Sequence, residues 1–440
     1  MTQTALAAEK RAGLFYFVFV MFAYTTGGPF GMEEMVTTSG PGLTLVFLLV
    51  IPFFWCIPVS LVAAELTTTI PVEGGFYRWV RAGYGNFWGF LAGWWNWSAS
   101  WLLGATNAVL CSDYLVVFFP ALVGWKHTAV SLVLIVLFAY INIRGIQMVG
   151  IVSTILGLLV LAPVFLLSVI AATKWRVDPF HPWIPTHVPA FRVFGVGLAL
   201  GLWLYSGYEQ CSSVAEEIEN PQRVFPIALA IVVPLSMATY FLPALFSLAA
   251  LGNWEQWNNA YLPVAALLIA GNWLRIAMTV AAVLGSAALL NATVLTSTRM
   301  PSSMAEDGYL PPVLAAKHPR FGTPWIAILI SSAIYALLAF HTLAQLLTVY
   351  VWLRSLVTVL TVLAAWKLRK TQPEMQRPFR IPGGKLGLAY VVCAPILMTI
   401  VAIVGSDKFA LKWGPVPVAL GVAAYFVFPR IKNLVGSSSR

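Results

Sequence analysis

Thr25-Thr26-Gly27-Gly28-Pro29-Phe30-Gly31-Met32-Glu33-Glu34 interrupts what would otherwise be one apolar helix over residues 13–38. Its glycines each cost a helix about 1 kcal/mol relative to alanine, and Pro29 brings no backbone donor. Backbone groups left open in hydrocarbon are tolerated only where protein buries them or a cavity receives them. The stretch therefore predicts a transmembrane helix broken near mid-membrane. A second run, Trp203-Leu204-Tyr205-Ser206-Gly207-Tyr208-Glu209-Gln210, puts Ser206 and Gly207 at the centre of another apolar span. Close helix packing explains a single glycine pair. A proline-containing triple-glycine break matched by a second break instead favours the substrate site of a transporter.

The rest of the chain supplies the membrane. Its 440 residues are 60% hydrophobic and 10% charged, with a mean hydropathy of +0.83; a soluble domain carries about 25% charged residues. A span needs about 20 mostly apolar residues. Twelve are expected, over 13–38, 41–69, 86–119, 128–142, 146–172, 193–218, 225–251, 273–305, 324–340, 343–367, 387–405 and 415–428. The breaks fall in the first and the sixth. The polar connections are too short to hold a soluble domain, which argues against a membrane anchor carrying a soluble enzyme.

The net charge of +10 follows topology, not nucleic acid. Lys10, Arg11, Arg78, Arg81, Arg299, Lys317, Arg320, the basic residues of 367–385, Arg430 and Lys432 fall on one side of a twelve-span weave. Fewer, such as Lys126, Lys174, Arg176, Lys408 and Lys412, fall on the other. This bias predicts a cell-membrane protein with both termini in the cytoplasm. The first span follows a polar tail without a small-residue cleavage site and is expected to be retained. Residues 74–85 read as an amphipathic segment on the cytoplasmic face, with Tyr77, Trp79 and Tyr84 at the headgroups and Arg78 and Arg81 at the aqueous edge. Trp175, Trp183, Trp254, Trp257 and Trp413 read as anchors at the outer interface. Cys56, Cys111, Cys211 and Cys393 are scattered through apolar stretches. His127, His181, His187, His318 and His341 lie in or beside loops. No disulfide, metal site or cofactor is indicated. No Gly-x4-Gly-Lys-Ser/Thr loop appears, so gradients would drive transport.

Several ordered motifs resemble the amino acid–polyamine–organocation superfamily over nearly the whole chain. They are Gly27-Gly28-Pro29-Phe30-Gly31-Met32-Glu33, Ala64-Glu65-Leu66 with Pro71 and Gly74-Gly75, Ala215 to Arg223, Met304 to Pro311, Phe321 to Trp325 and Arg377 to Pro382. The first motif is most similar to the branch of plant-type polyamine uptake transporters. The resemblance implies an all-α membrane protein with a LeuT-like fold, two inverted five-helix repeats plus two further helices, working by alternating access on an amine-bearing substrate. The expected layout is a tail over 1–12, a transporter domain over 13–430 and a tail over 431–440. Within the domain, 13–172 and 193–368 are the two repeats and 386–430 the last two spans.

The candidate substrate-binding set is Gly27, Gly28, Pro29, Phe30, Gly31 and Glu33 at the first break, with Trp203, Tyr205, Ser206, Gly207, Tyr208 and Glu209 at the second. A carboxylate buried in a membrane is costly and usually functional. Glu209 can bind a substrate ammonium, carry a proton, or steady the break through an ion pair. Glu33 favours a cationic substrate, or else complements the N-terminus of the half-helix that follows it. Many amino acid carriers of the superfamily hold a substrate carboxylate on the break amides; Pro29 and the glutamates weaken that cradle here. Trp203, Tyr205 and Tyr208 can hold a cation over their rings. Asp113 reads as a vestibule charge or a loop pairing partner, and Glu65 as a structural or gating contact near the cytoplasm. Arg354, near the middle of its span, must pair with a carboxylate or face a cavity, where it could hold an amino acid's carboxylate. Pairing with Glu209 or Glu33 is the favoured reading. Some superfamily members carry a lysine in the fifth span; residues 146–172 contain no ionisable group. Proton coupling would then fall to Glu209, Glu33 or another carboxylate, or the protein exchanges substrates. The expected partners are a small amine, a proton and the lipid bilayer.

Overall fold

The computed structural model describes residues 13–437 except 73, 145, 186–189, 258–259 and 407. The expected tail 1–12, with Lys10 and Arg11, and His187 lie outside the described residues. The described chain is helical, with no strand among the described residues. In order come α1 (Leu14–Thr25), α2 (Glu33–Ser39), α3 (Pro41–Ile51), α4 (Ile57–Thr69), α5 (Gly75–Tyr84), α6 (Asn86–Phe118), α7 (Trp125–Arg144), α8 (Ile146–Ala172) and α9 (Ala190–Leu204). Then follow α10 (Pro221–Leu251), α11 (Tyr261–Ala270), α12 (Asn272–Glu306), α13 (Trp325–Leu338), α14 (Leu343–Thr371), α15 (Gly384–Val404), α16 (Lys408–Trp413) and α17 (Pro415–Ser437).

Eight stretches of helix among the described residues are long and apolar enough to cross a membrane: α3–α4 taken together, α6, α7, α10, α12, α14, α15 and α16–α17. This is a multi-pass membrane protein. Val136 on α7, Phe165 on α8 and Ile400 on α15 are all more than half exposed, as lipid-facing side chains are. The centre is built from α12 and α14 packed along α6, with α8, α10 and α1 closing around them. Two prolines, Pro52 and Pro58, interrupt the amide ladder between α3 and α4. The chain absorbs them in a widened π-helical turn, Pro52–Cys56, without ending the helix. α14 starts sharply on a capping box: the Gln345 amide donates to Thr342 Oγ1, and the Gln345 side chain accepts from the Thr342 amide.

The structure corrects several local expectations. Tyr77 and Trp79 are buried in protein, because α5 docks its aromatic face on α6 and α14 and leaves only Tyr84 partly open. Trp257 is fully buried, stacked on Tyr261 at the start of α11. Trp175, Trp183 and Trp413 are about half exposed. The helix α11, too short for a span, was not anticipated; glycine at 271, with φ of 92°, ends it and starts α12. Helix α17 runs to Ser437, into the stretch expected as a tail.

Candidate functional site

Both interruptions are present. Between α1 and α2 the chain leaves the helix over residues 26–32, and Gly27, Gly28 and Gly31 take positive φ angles of 55°, 102° and 86°. Side chains are excluded there for a second reason. A Cβ on Gly31 would lie 2.8 Å from the Trp203 ring, and one on Gly285 of α12 would lie 1.9 Å from the Gly27 carbonyl. The first break therefore presses directly on the second break and on α12. After α9, Tyr205, Ser206 and Gly207 (φ 116°) lead into a 3-10 stretch, Tyr208–Glu217.

Glu33 is fully buried and is used locally. Its Oε2 accepts from the Gly31 amide at 2.7 Å. Its Oε1 accepts from the Tyr114 hydroxyl at 2.6 Å and from the Leu262 amide at 3.4 Å. It closes the open amides of the break and stands at the N-terminus of α2, where negative charge is favoured. Asp113 bonds His127 at 2.7 Å across α6 and α7. Glu65 accepts from Arg369 Nε at 2.7 Å and from the Ile381 amide at 2.8 Å, with Arg377 at 3.5 Å. Burial lowers the Arg377 guanidinium from its ordinary value, against the pull of Glu65. These contacts tie α4 to the end of α14 and the loop after it.

Arg354 of α14 is ion-paired with Glu209, and both are buried. Arg354 Nη1 also donates to Asn96 Oδ1 at 2.6 Å, Asn96 accepts from Gln210 Nε2 at 2.7 Å, and the guanidinium lies 4.8 Å from the centre of the Phe76 ring on α5. The second break's carboxylate is thus neutralised and tied to α6 and α14.

The two breaks meet at a small cavity of about 20 Å³, which holds a single water by volume. Its walls include Thr25, Thr26 and Phe30 from the first break, Trp203, Ser206 and Gly207 from the second, and Tyr24, Leu103, Asn107, Tyr240, Leu289 and Tyr350 around them. Of the expected set, Phe30, Trp203, Ser206 and Gly207 reach it. Gly27, Gly28, Pro29, Gly31, Glu33, Tyr205, Tyr208, Glu209, Asp113 and Arg354 are not on its wall. Tyr205 instead donates to the Leu48 carbonyl at 2.7 Å, and Ser206 is fixed by Trp55 Nε1 at 3.0 Å. Tyr24, Asn107, Tyr240 and Tyr350 were missed from sequence. Asn107 is fully buried; its Nδ2 donates to Thr293 at 3.2 Å, while its Oδ1 has no hydrogen-bond partner. Asn96 and Asn107 share the same apolar span, and nothing in the sequence tells which of the two amides faces a cavity. Aromatic faces, hydroxyls and amide oxygens, with no free charge, make this wall suited to a single ammonium held over rings.

The sequence profile of the amino acid permease family matches residues 16–426. A probable polyamine transporter of Arabidopsis thaliana is 31% identical over 97% of this chain and 87% of its own length. A polyamine transporter of the same plant is 31% identical over 91% of this chain and 82% of its own. A polyamine transporter of Oryza sativa subsp. japonica is 30% identical over 95% of this chain and 77% of its own.

Proposed function

The chain belongs to the amino acid permease family, a transporter and not an enzyme, and from that premise we propose that it carries small amine-bearing solutes across the membrane by alternating access. The proposed frame is twelve spans in a LeuT-like arrangement of two inverted five-helix repeats plus two helices, with both termini in the cytoplasm. The substrate sits between the two breaks.

The observation that carries this reading is the convergence of both breaks on one cavity whose wall combines Phe30, Trp203, Tyr24, Tyr240 and Tyr350 with the open Asn107 Oδ1. An ammonium gains there from ring faces and from an uncharged acceptor. Polyamines and other cationic amines are the favoured substrates, supported by the names of the similar plant proteins. The proton, in this reading, travels on the intramembrane carboxylates, since α8 carries no ionisable residue. One observation favours a second reading. The Glu209–Arg354 pair leaves the second break without net charge, which suits a zwitterionic amino acid, handled by exchange with its carboxylate at the first break. Arg354 is paired with Glu209 and donates to Asn96, so this reading leaves that carboxylate to the first break.

Uptake by proteoliposomes of labelled putrescine, spermidine, arginine and leucine, with and without a pH gradient, separates the two. Saturable polyamine uptake is expected. Absence of any polyamine uptake alongside robust leucine exchange sinks the cationic reading, and insensitivity to the gradient removes the proton.

A further inference from the structure

A second, larger cavity of about 390 Å³ lies on the flank of α6, between α14 and the α16–α17 pair. Trp101 and Leu102 of α6, Leu346 and Leu353 of α14, Phe409 of α16 and Leu420 of α17 line it. Gln345, His341 and Trp413 stand at one end, where α13 passes to α14 and α16 passes to α17. From Gln345 to Leu353, α14 advances ~12 Å, close to the ~15 Å of one leaflet of hydrocarbon. Water finds few polar partners along such a wall, and an empty apolar void of this size forfeits dispersion contacts over its whole lining. Leu420, on the wall, is half exposed, and so is Trp413 beside it, so bilayer hydrocarbon reaches the cavity from the side.

We infer that this cavity takes one acyl chain of a membrane phospholipid, with the headgroup at the His341–Gln345 end. Lys412, 5.3 Å from the centre of the Trp413 ring, stands there to meet the lipid phosphate. The acyl chain is about one leaflet long and apolar throughout, and the cavity matches it in depth and lining, with Lys412 beside the end that would meet the phosphate. Its occupancy bears on transport, because the same two helices wall the central cavity with other residues: Leu103 and Asn107 of α6 and Tyr350 of α14. The bound chain sets how closely α14 approaches α6.

The test is photolabelling in vesicles of phosphatidylglycerol that bears a diazirine midway along one acyl chain, with the labelled peptides read by mass spectrometry. Labels are expected to concentrate in 98–102 and 346–353. Leu420→Trp, which fills the cavity from the peripheral helix, lowers them at least five-fold while labelling around the lipid-facing Val136 of α7 stays constant. Val416→Trp fills it from the next turn and serves if the first variant folds poorly. Equal labelling of all lipid-facing helices, unmoved by either variant, overturns the inference. So does a cross-link that joins this face to a second copy of the chain.

Discussion

Glu209 and Arg354, each at most 2% exposed, face one another inside an apolar bundle, and each is the other's counter-charge. Removing one partner of such a pair strands the other and costs about 3–5 kcal/mol, whereas replacing both by neutral groups is often harmless to the fold. Glu209→Gln alone and Arg354→Met alone are therefore expected to lower the thermal midpoint of the purified protein strongly, and the double variant to regain most of it. Transport should remain lost in the double variant if, as the proposed alternating access asks, the pair exchanges partners during the cycle, which neutral groups cannot reproduce. Full recovery of both stability and uptake would reduce the pair to scaffolding. These two residues were legible in the sequence because a charge in an apolar span demands a partner. Asn107, Tyr240 and Tyr350 were not, since one amide or tyrosine in such a span has the same pattern whether it packs or faces a cavity. Glu33 was legible as a buried carboxylate, but Tyr114, its partner 81 positions away, left no local signal.

At the scale of elements, glycines with Pro29 marked the first break and Ser206-Gly207 the second, while amphipathic patterning was ambiguous. The face of α5 that suits headgroups suits a protein groove equally well, and burial of Tyr77 and Trp79 decided for the groove. Besides its packing on α6 and α14, α5 is tethered by Asp307, just past α12, which accepts from Arg78 at 2.7 Å, Arg81 at 2.6 Å and the Tyr77 hydroxyl at 2.5 Å. The two ion pairs are partly exposed, so each contributes about 1 kcal/mol or less, enough to bias the docking of one short helix without governing the fold. Phe76 of the same helix covers Arg354. Asp307→Asn is therefore expected to let α5 lift, uncovering the groups behind Phe76 while leaving the thermal midpoint within a few degrees. With Cys56, Cys111 and Cys393 replaced by serine, a small thiol reagent should modify Cys211, buried in the 3-10 stretch, several-fold faster when Asp307→Asn is added. An unchanged rate argues that α5 is static.

For the molecule as a whole, the decisive quantity is the size of the central cavity. A space of about 20 Å³ is too small for putrescine or leucine, so the proposed site requires that the breaks separate for substrate to enter and that the bundle re-form around it. Binding then acts on a conformational equilibrium, and only differential affinity for one state moves it. A ligand that binds the folded carrier at about 100 times its dissociation constant adds roughly 2.7 kcal/mol of apparent stability. Among putrescine, spermidine, arginine and leucine, those that are transported should raise the thermal midpoint in a concentration-dependent way, and those that are not should leave it flat. The neutral wall sharpens the expectation. A ligand that carries one ammonium beside an apolar segment should stabilise more per molecule than one whose second charge meets only ring faces and hydroxyls. Putrescine below a monoamine of similar length would fit that wall. Putrescine far above it would require a free carboxylate, released when Arg354 leaves Glu209, and Glu209→Gln would then abolish the difference while Arg354→Met would keep it.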